Sequence, residues 1–258
     1  MVTCRENVAN MELVLGTILL RPYVFAFLVA FLAAGRADLG GRRTVTFMGC
    51  LWPVAWLAEF ASTRVGIPFG LYHYTGQTHG RELYVADVPF FTSISFVFLA
   101  YAAFCVARLA LTPLAGRAPR LRLALGTGVL MMLLDVVIDP LAVRGDRWFL
   151  GRIFYYPEGG AYFGVPLSNF GGWVLVGTLG VGLYMLVAGL PAEGRPWPGL
   201  ALYYAVLAFN LVITLWIEEW VLAGVGVALH AAVGLTLVVW SRRGAGRTRL
   251  GRKELQGA

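Results

Sequence analysis

Within the run LMMLLDVVIDP, Asp135 and Asp139 stand four residues apart among apolar side chains. On a helix that spacing puts both carboxyls on one face, separated by about 6 Å of rise at ~1.5 Å per residue. Pro140 follows directly. A proline disfavours the helical region at the residue before it, so the helix is expected to kink or end there, with Asp139 at the boundary and Asp135 inside. Two acids in different dielectric surroundings ionise with different ease, and one can hold a proton while the other accepts one. The chemistry open to them is general acid and base catalysis. Glu59, which opens EFASTRVGIPFGLYHYT, is a third acid in apolar company, and Arg64, Tyr72 and Tyr74 follow it in the same stretch. YFGVPLSNFGGW contributes Tyr162, Asn169, Phe170 and Trp173. Ring faces such as these can stabilise a cation by up to about 2 kcal/mol each when desolvated. Arg21, which interrupts the first apolar run, and Glu218, beside Glu219, are accessory candidates. Adjacent residues on a helix point about 100° apart, so one of the two glutamates is expected to face water.

These residues need elements to hold them, and the composition says which. At 258 residues, with 59% apolar and 14% charged residues and a mean hydropathy of +0.71, the chain departs from soluble domains, where about a quarter of residues are charged. It reads as all-α, a polytopic transmembrane helical bundle in the cell membrane. A span takes about 20 mostly apolar residues, and about seven fit: 13–35, 44–62, 90–111, 123–143, 168–190, 198–220 and 223–241. Residues 1–241 form a single transmembrane domain, and 242–258 a basic cytoplasmic tail expected to be disordered. Arg21, Pro22, Glu6 and Glu12 make a poor signal peptide, so the first helix is expected to be retained.

With the amino terminus outside, fourteen Lys and Arg residues fall on the inner side and six on the outer, Arg21 being set aside within a span. The positive-inside rule thus favours amino terminus out and carboxyl terminus in. On the same ground the net charge of +7 and the tail SRRGAGRTRLGRK read as a topology signal beside anionic lipid, not as a nucleic-acid site. Cys4, Cys50 and Cys105 lack metal or disulfide spacing and read as packing residues. His73, His79 and His230 have no partner at metal-ligand spacing, so neither metal nor cofactor is expected.

In this topology Glu59, Asp135, Asp139, Glu218, Arg21, Asn169 and Trp173 all fall toward the outer side. Ionisable residues within spans are site candidates by default. The long connections 63–89 and 144–167, rich in Gly, Pro and aromatic residues, lie on that side too, and loops of this length are commonly functional. The short ones, 36–43, 112–122 and 191–197, read as hairpin joints. The bland alternative pairs Arg21 and Arg64 with Glu59, Asp135 or Asp139 as structural ion pairs and assigns the rings to an interfacial belt. The inner halves read as almost purely apolar, which argues against a transporter's path through the membrane.

In order and spacing, EFASTRVGIPFGLYHYT, LMMLLDVVIDPLA, the Trp148 region and YFGVPLSNFGGW resemble the membrane-integral carotenoid biosynthesis proteins of the CruF type. That family includes carotenoid 1,2-hydratases, the bisanhydrobacterioruberin hydratases among them. The resemblance runs from about Arg21 to His230. It implies addition of water across the terminal C1–C2 double bond of an acyclic (psi) carotenoid end group, without redox change or cofactor. The partners implied are water, membrane lipid and a carotenoid such as lycopene or gamma-carotene. Hydration needs an acid at C2, protection of the tertiary cation at C1, and a positioned water with a base. Asp135 or Asp139 suits the acid and Trp173 with Tyr162 the cation. Glu59 or the remaining aspartate suits the water, with Arg64 and Asn169 holding the carboxyls. A carotenoid end-group cyclase would begin with the same protonation. A prenyltransferase would use DxxxD to hold Mg²⁺ against a diphosphate, but only one DxxxD occurs.

Overall fold

The computed structural model describes residues 2–111, 119–191 and 194–256. Most of the connection expected at 112–122, Arg117 included, lies outside the described residues, as do 192–193 and 257–258. Among the described residues eight α-helices follow in order: α1 (Val2–Leu20), α2 (Pro22–Asp38), α3 (Gly41–Val65), α4 (Phe90–Leu111), α5 (Pro119–Ala142), α6 (Leu167–Ala188), α7 (Trp197–Trp216) and α8 (Trp220–Gln256). Helices α3 to α7 are each long and apolar enough to cross a bilayer, and α8 is apolar over Trp220–Thr236.

The first expected span, 13–35, is two helices. Pro22 takes the first position of α2, where its missing N–H costs nothing, and Arg21 before it has non-helical angles (φ −128°, ψ 49°). The chain bends by 95° between Met11–Leu20 and Pro22–Asp38. Pro140, by contrast, does not end its helix: α5 runs through it to Ala142.

At the centre stands α4, where every residue from Phe96 to Arg108 is buried. Around it, α5 and α6 meet at a pair of glycines. A side chain on Gly128 would collide with the Val174 carbonyl, and one on Gly177 would meet the Gly128 backbone at 2.8 Å. Small residues that admit such close backbone approach are what holds helices together in lipid, where no hydrophobic gradient drives them.

The two long connections are joined to each other. His73–Tyr74 (β1) pairs antiparallel with Phe154–Tyr155 (β4), in the register His73↔Tyr155 and Tyr74↔Phe154. Thr75 extends the seam, its N–H donating to the Ile153 carbonyl at 2.8 Å and its hydroxyl to Arg152 O at 2.6 Å. A hairpin of Tyr84–Val85 (β2) and Val88–Pro89 (β3) turns through Ala86 and Asp87, both at positive φ (48° and 67°), the geometry that two-residue hairpin turns require. The result is a woven cap over the end of the bundle where α3 and α5 finish and α6 begins.

Candidate active site

Under that cap lies a cavity of about 140 Å³. Glu59 near the end of α3, Asp139 near the end of α5, and Asn169 and Trp173 in the first two turns of α6 line its polar end, with Tyr72 and Tyr74 from the cap. The side-chain amide of Asn169 donates to Asp135 Oδ2 at 2.7 Å and to Asp139 Oδ2 at 2.8 Å. The indole of Trp173 donates to the same Asp139 oxygen at 3.2 Å. An NH₂ has two protons to give, and here each goes to a different carboxyl.

Asp135 is wholly buried behind Asn169, outside the cavity lining, and its Oδ1 has no partner. Asp139 is half-buried and faces the cavity. The i, i+4 spacing therefore gives one acid that reaches the cavity and one that stands behind it. Glu59, 4% exposed, accepts from the Tyr74 hydroxyl at 2.8 Å through Oε1, while its Oε2 is unpartnered. The Tyr74 hydroxyl also lies 3.2 Å from Thr92 Oγ1 and 3.3 Å from the Tyr72 hydroxyl. Burial, reinforced by the neighbouring Glu59 charge, pushes the phenols of Tyr72 and Tyr74 well above the usual tyrosine range, so both remain protonated donors.

Three rings stand over this polar end. Phe96 stacks on Trp173 at 4.2 Å and 9°, and Phe69 lies 5.8 Å from Phe96 and 6.2 Å from Trp173. Gly172 makes room for Phe69, whose Cδ1 would sit 2.5 Å from any Cβ there. The Phe69 N–H is anchored on Ser62 Oγ at 3.0 Å.

Several expected members lie elsewhere. Tyr162 and Phe170 pack on each other, 5.3 Å between ring centres, and do not line the cavity. The rings beside Trp173 on the cavity wall are those of Phe69 and Phe96. Arg64 does not reach the carboxyls. It lies over the Phe60 ring at 3.6 Å and pairs with the exposed Asp87 at 3.5 Å. Arg21 is buried beside the cap, paired with Glu82 at 3.2 Å and donating to the Leu150 carbonyl at 2.7 Å. Glu218 is exposed, whereas Glu219 binds Arg144 at 3.0 Å and also Arg147.

The residues that the sequence reading missed carry a readable signal. Thr92, Ser95, Phe96 and Leu99 all line the cavity from α4, and their i, i+3, i+4, i+7 spacing is one helix face. Two of the four are hydroxyls in a largely apolar helix.

Fold and cavity together define a multi-pass membrane protein with a carboxyl-and-aromatic chamber at one end of its bundle. The chain belongs to the carotenoid biosynthesis protein family, whose model matches residues 10–237. It is similar to the bisanhydrobacterioruberin hydratase of Haloarcula japonica, with 31% identity over 231 residues, covering 86% of this chain and 72% of that protein. No solved structure matches it.

Proposed function

We propose that the protein is a carotenoid hydratase that adds water across the terminal C1–C2 double bond of an acyclic carotenoid end group. The observation that supports this most is the placement of Asp139 and Glu59 on one ring-walled cavity, each with its own set of hydrogen-bond donors.

The Asp135–Asp139 pair, bridged by one amide, holds a single proton between two acids too close for both to ionise. Asn169 and Trp173 both donate to Asp139 Oδ2, which leaves Oδ1 to carry the proton toward the alkene. Transfer to C2 places positive charge on C1, where the faces of Trp173, Phe96 and Phe69 stabilise it. Water attacks C1 and gives its second proton to Glu59, which Tyr74 holds in place. The tertiary alcohol forms with no change in oxidation state, and the proton returns from Glu59 to the aspartate pair before the next turnover. The similarity to a bisanhydrobacterioruberin hydratase supports the reaction class.

Expression in a lycopene-accumulating bacterial host tests the reading. Pigment heavier by one water per reacted end group is the expected result. Pigment of unchanged mass with a new ring would assign the site to a cyclase, and unaltered lycopene would remove lycopene as substrate.

A further inference from the structure

A hydratase for such substrates must handle a rod many isoprene units long, and a cavity of about 140 Å³ has room for its end alone. The remainder of the molecule has to leave the chamber, so this inference rests on the reading above. We propose that the polyene lies in the seam between α2 and α7, and that this seam is the doorway from lipid to the acids.

The cavity's apolar end is formed by Tyr23 and Phe27 of α2 and Phe209 of α7. From there a row of rings continues outward. Tyr23 stacks on Phe209 at 5.0 Å and 20°. Phe149 meets Tyr23 edge-on at 5.6 Å and lies 6.4 Å from Trp216. Phe149 is 53% exposed and Trp216 63% exposed, so the row of rings runs from the chamber to the protein surface. The exposed leucines of α6, Leu179 and Leu186, belong to no such path, because neither lines the cavity. Tyr74 and Phe154 of the β1–β4 seam line the acid end.

The rings suit this occupant. A conjugated polyene is straight, stiff and polarisable, and offset rings along its length give it dispersion contacts without asking it to bend. A saturated lipid tail gains less from flat walls and loses more conformational freedom on being straightened. The loop that carries Phe149 is itself fixed: the Trp148 indole donates to the Leu141 carbonyl at 3.1 Å, and Arg147 bonds both Glu219 and the Ile217 carbonyl.

The test is photo-crosslinking with p-benzoylphenylalanine, placed singly at Phe149, Trp216, Leu179 and Leu186, in membranes of a lycopene-accumulating host. Lycopene adducts are expected at Phe149 and Trp216 in excess over the two leucine positions. Equal yields at all four positions, or no adduct at Phe149 and Trp216, would overturn the doorway. Capture needs binding only. Adducts at Phe149 and Trp216 from chains that keep Asp139, together with pigment that gains no water in the expression assay, would leave the doorway standing and remove the hydratase reading. Hydrated pigment with no excess at those positions would do the reverse.

Discussion

Asn169 organises the candidate site at the residue scale, since a single amide group binds both aspartates within 2.8 Å. The two acids are not equivalent, because only Asp139 reaches the cavity. Asp139→Asn keeps the shape and removes the acid, so kcat should fall by about 10²–10⁴-fold, the usual contribution of a positioned general acid, with little change in KM. Tyr74→Phe removes one hydrogen bond from Glu59, and at about 1.5 kcal/mol for a bond to a charged group the loss should be nearer tenfold. Pigment quantified from cells with matched protein levels checks both. Undiminished product from Asp139→Asn would remove it from the proton-donor role, whereas equal losses in the two variants would point to collapse of the cavity. Glu59, Asp139, Asn169 and Trp173 were legible in the sequence because polar groups in apolar runs are conspicuous. Phe69 and Phe96 were not, since nothing in a lone phenylalanine separates a ring that faces a cavity from one that faces lipid.

Among the elements, the cap depends on two ion-pair anchors that the sequence hides. Arg21 sits in the α1–α2 break, and its partner Glu82 is 61 residues away; no periodic pattern connects them, which is why Arg21 read equally well as a partner for the site's acids. The pair is almost wholly buried, and Thr78 also binds Glu82. Removing one partner strands the other charge at a cost of about 3–5 kcal/mol. Arg21→Leu should therefore lower thermal stability sharply, and Arg21→Leu with Glu82→Leu should recover much of it; a double variant no better than the single one would show that the charges do not act as a pair. The second anchor, Glu219 with Arg144 and Arg147, sits at the α7–α8 junction. Burial alone would raise Glu219, but the two guanidiniums outweigh it and hold its carboxyl below the usual 4.5. A depressed carboxyl contributes stability that is present above its unfolded value and lost as pH falls through the folded one. Hydrogen exchange in 144–149 should rise below about pH 4.5, and Glu219→Gln should show the raised exchange at neutral pH and little further change with acid. A pH response that survives in Glu219→Gln would place the titrating group elsewhere.

At the scale of the whole molecule, buried polar clusters stand toward both ends of the bundle. The end opposite the chamber, expected to be nearly apolar, holds a buried ion pair in which Arg108 donates to Asp38 Oδ2 at 2.6 Å, joined by the Tyr101 hydroxyl at 3.2 Å. Asp38 lies just past one expected span and Arg108 near the end of another, where a charge looks solvated, so their pairing was not legible. Between the two ends Phe31, Phe47, Phe104 and Tyr184 pack ring against ring, with Phe47 5.0 Å from Tyr184 and 6.0 Å from Phe104. These rings fill the interior with mostly apolar surface, and the side that the chamber faces is expected to supply its water. The bias of fourteen basic residues to six predicts that this side is the outer one. With Cys50 and Cys105 buried, a Cys4→Ser background can carry a single reporter at exposed Gln77, in the cap, or at exposed Arg195, at the opposite end. A membrane-impermeant maleimide should label Gln77→Cys in intact cells and Arg195→Cys only after permeabilisation. The reverse pattern would turn the chamber toward the cytoplasm, and water for the reaction would then have to come from inside the cell.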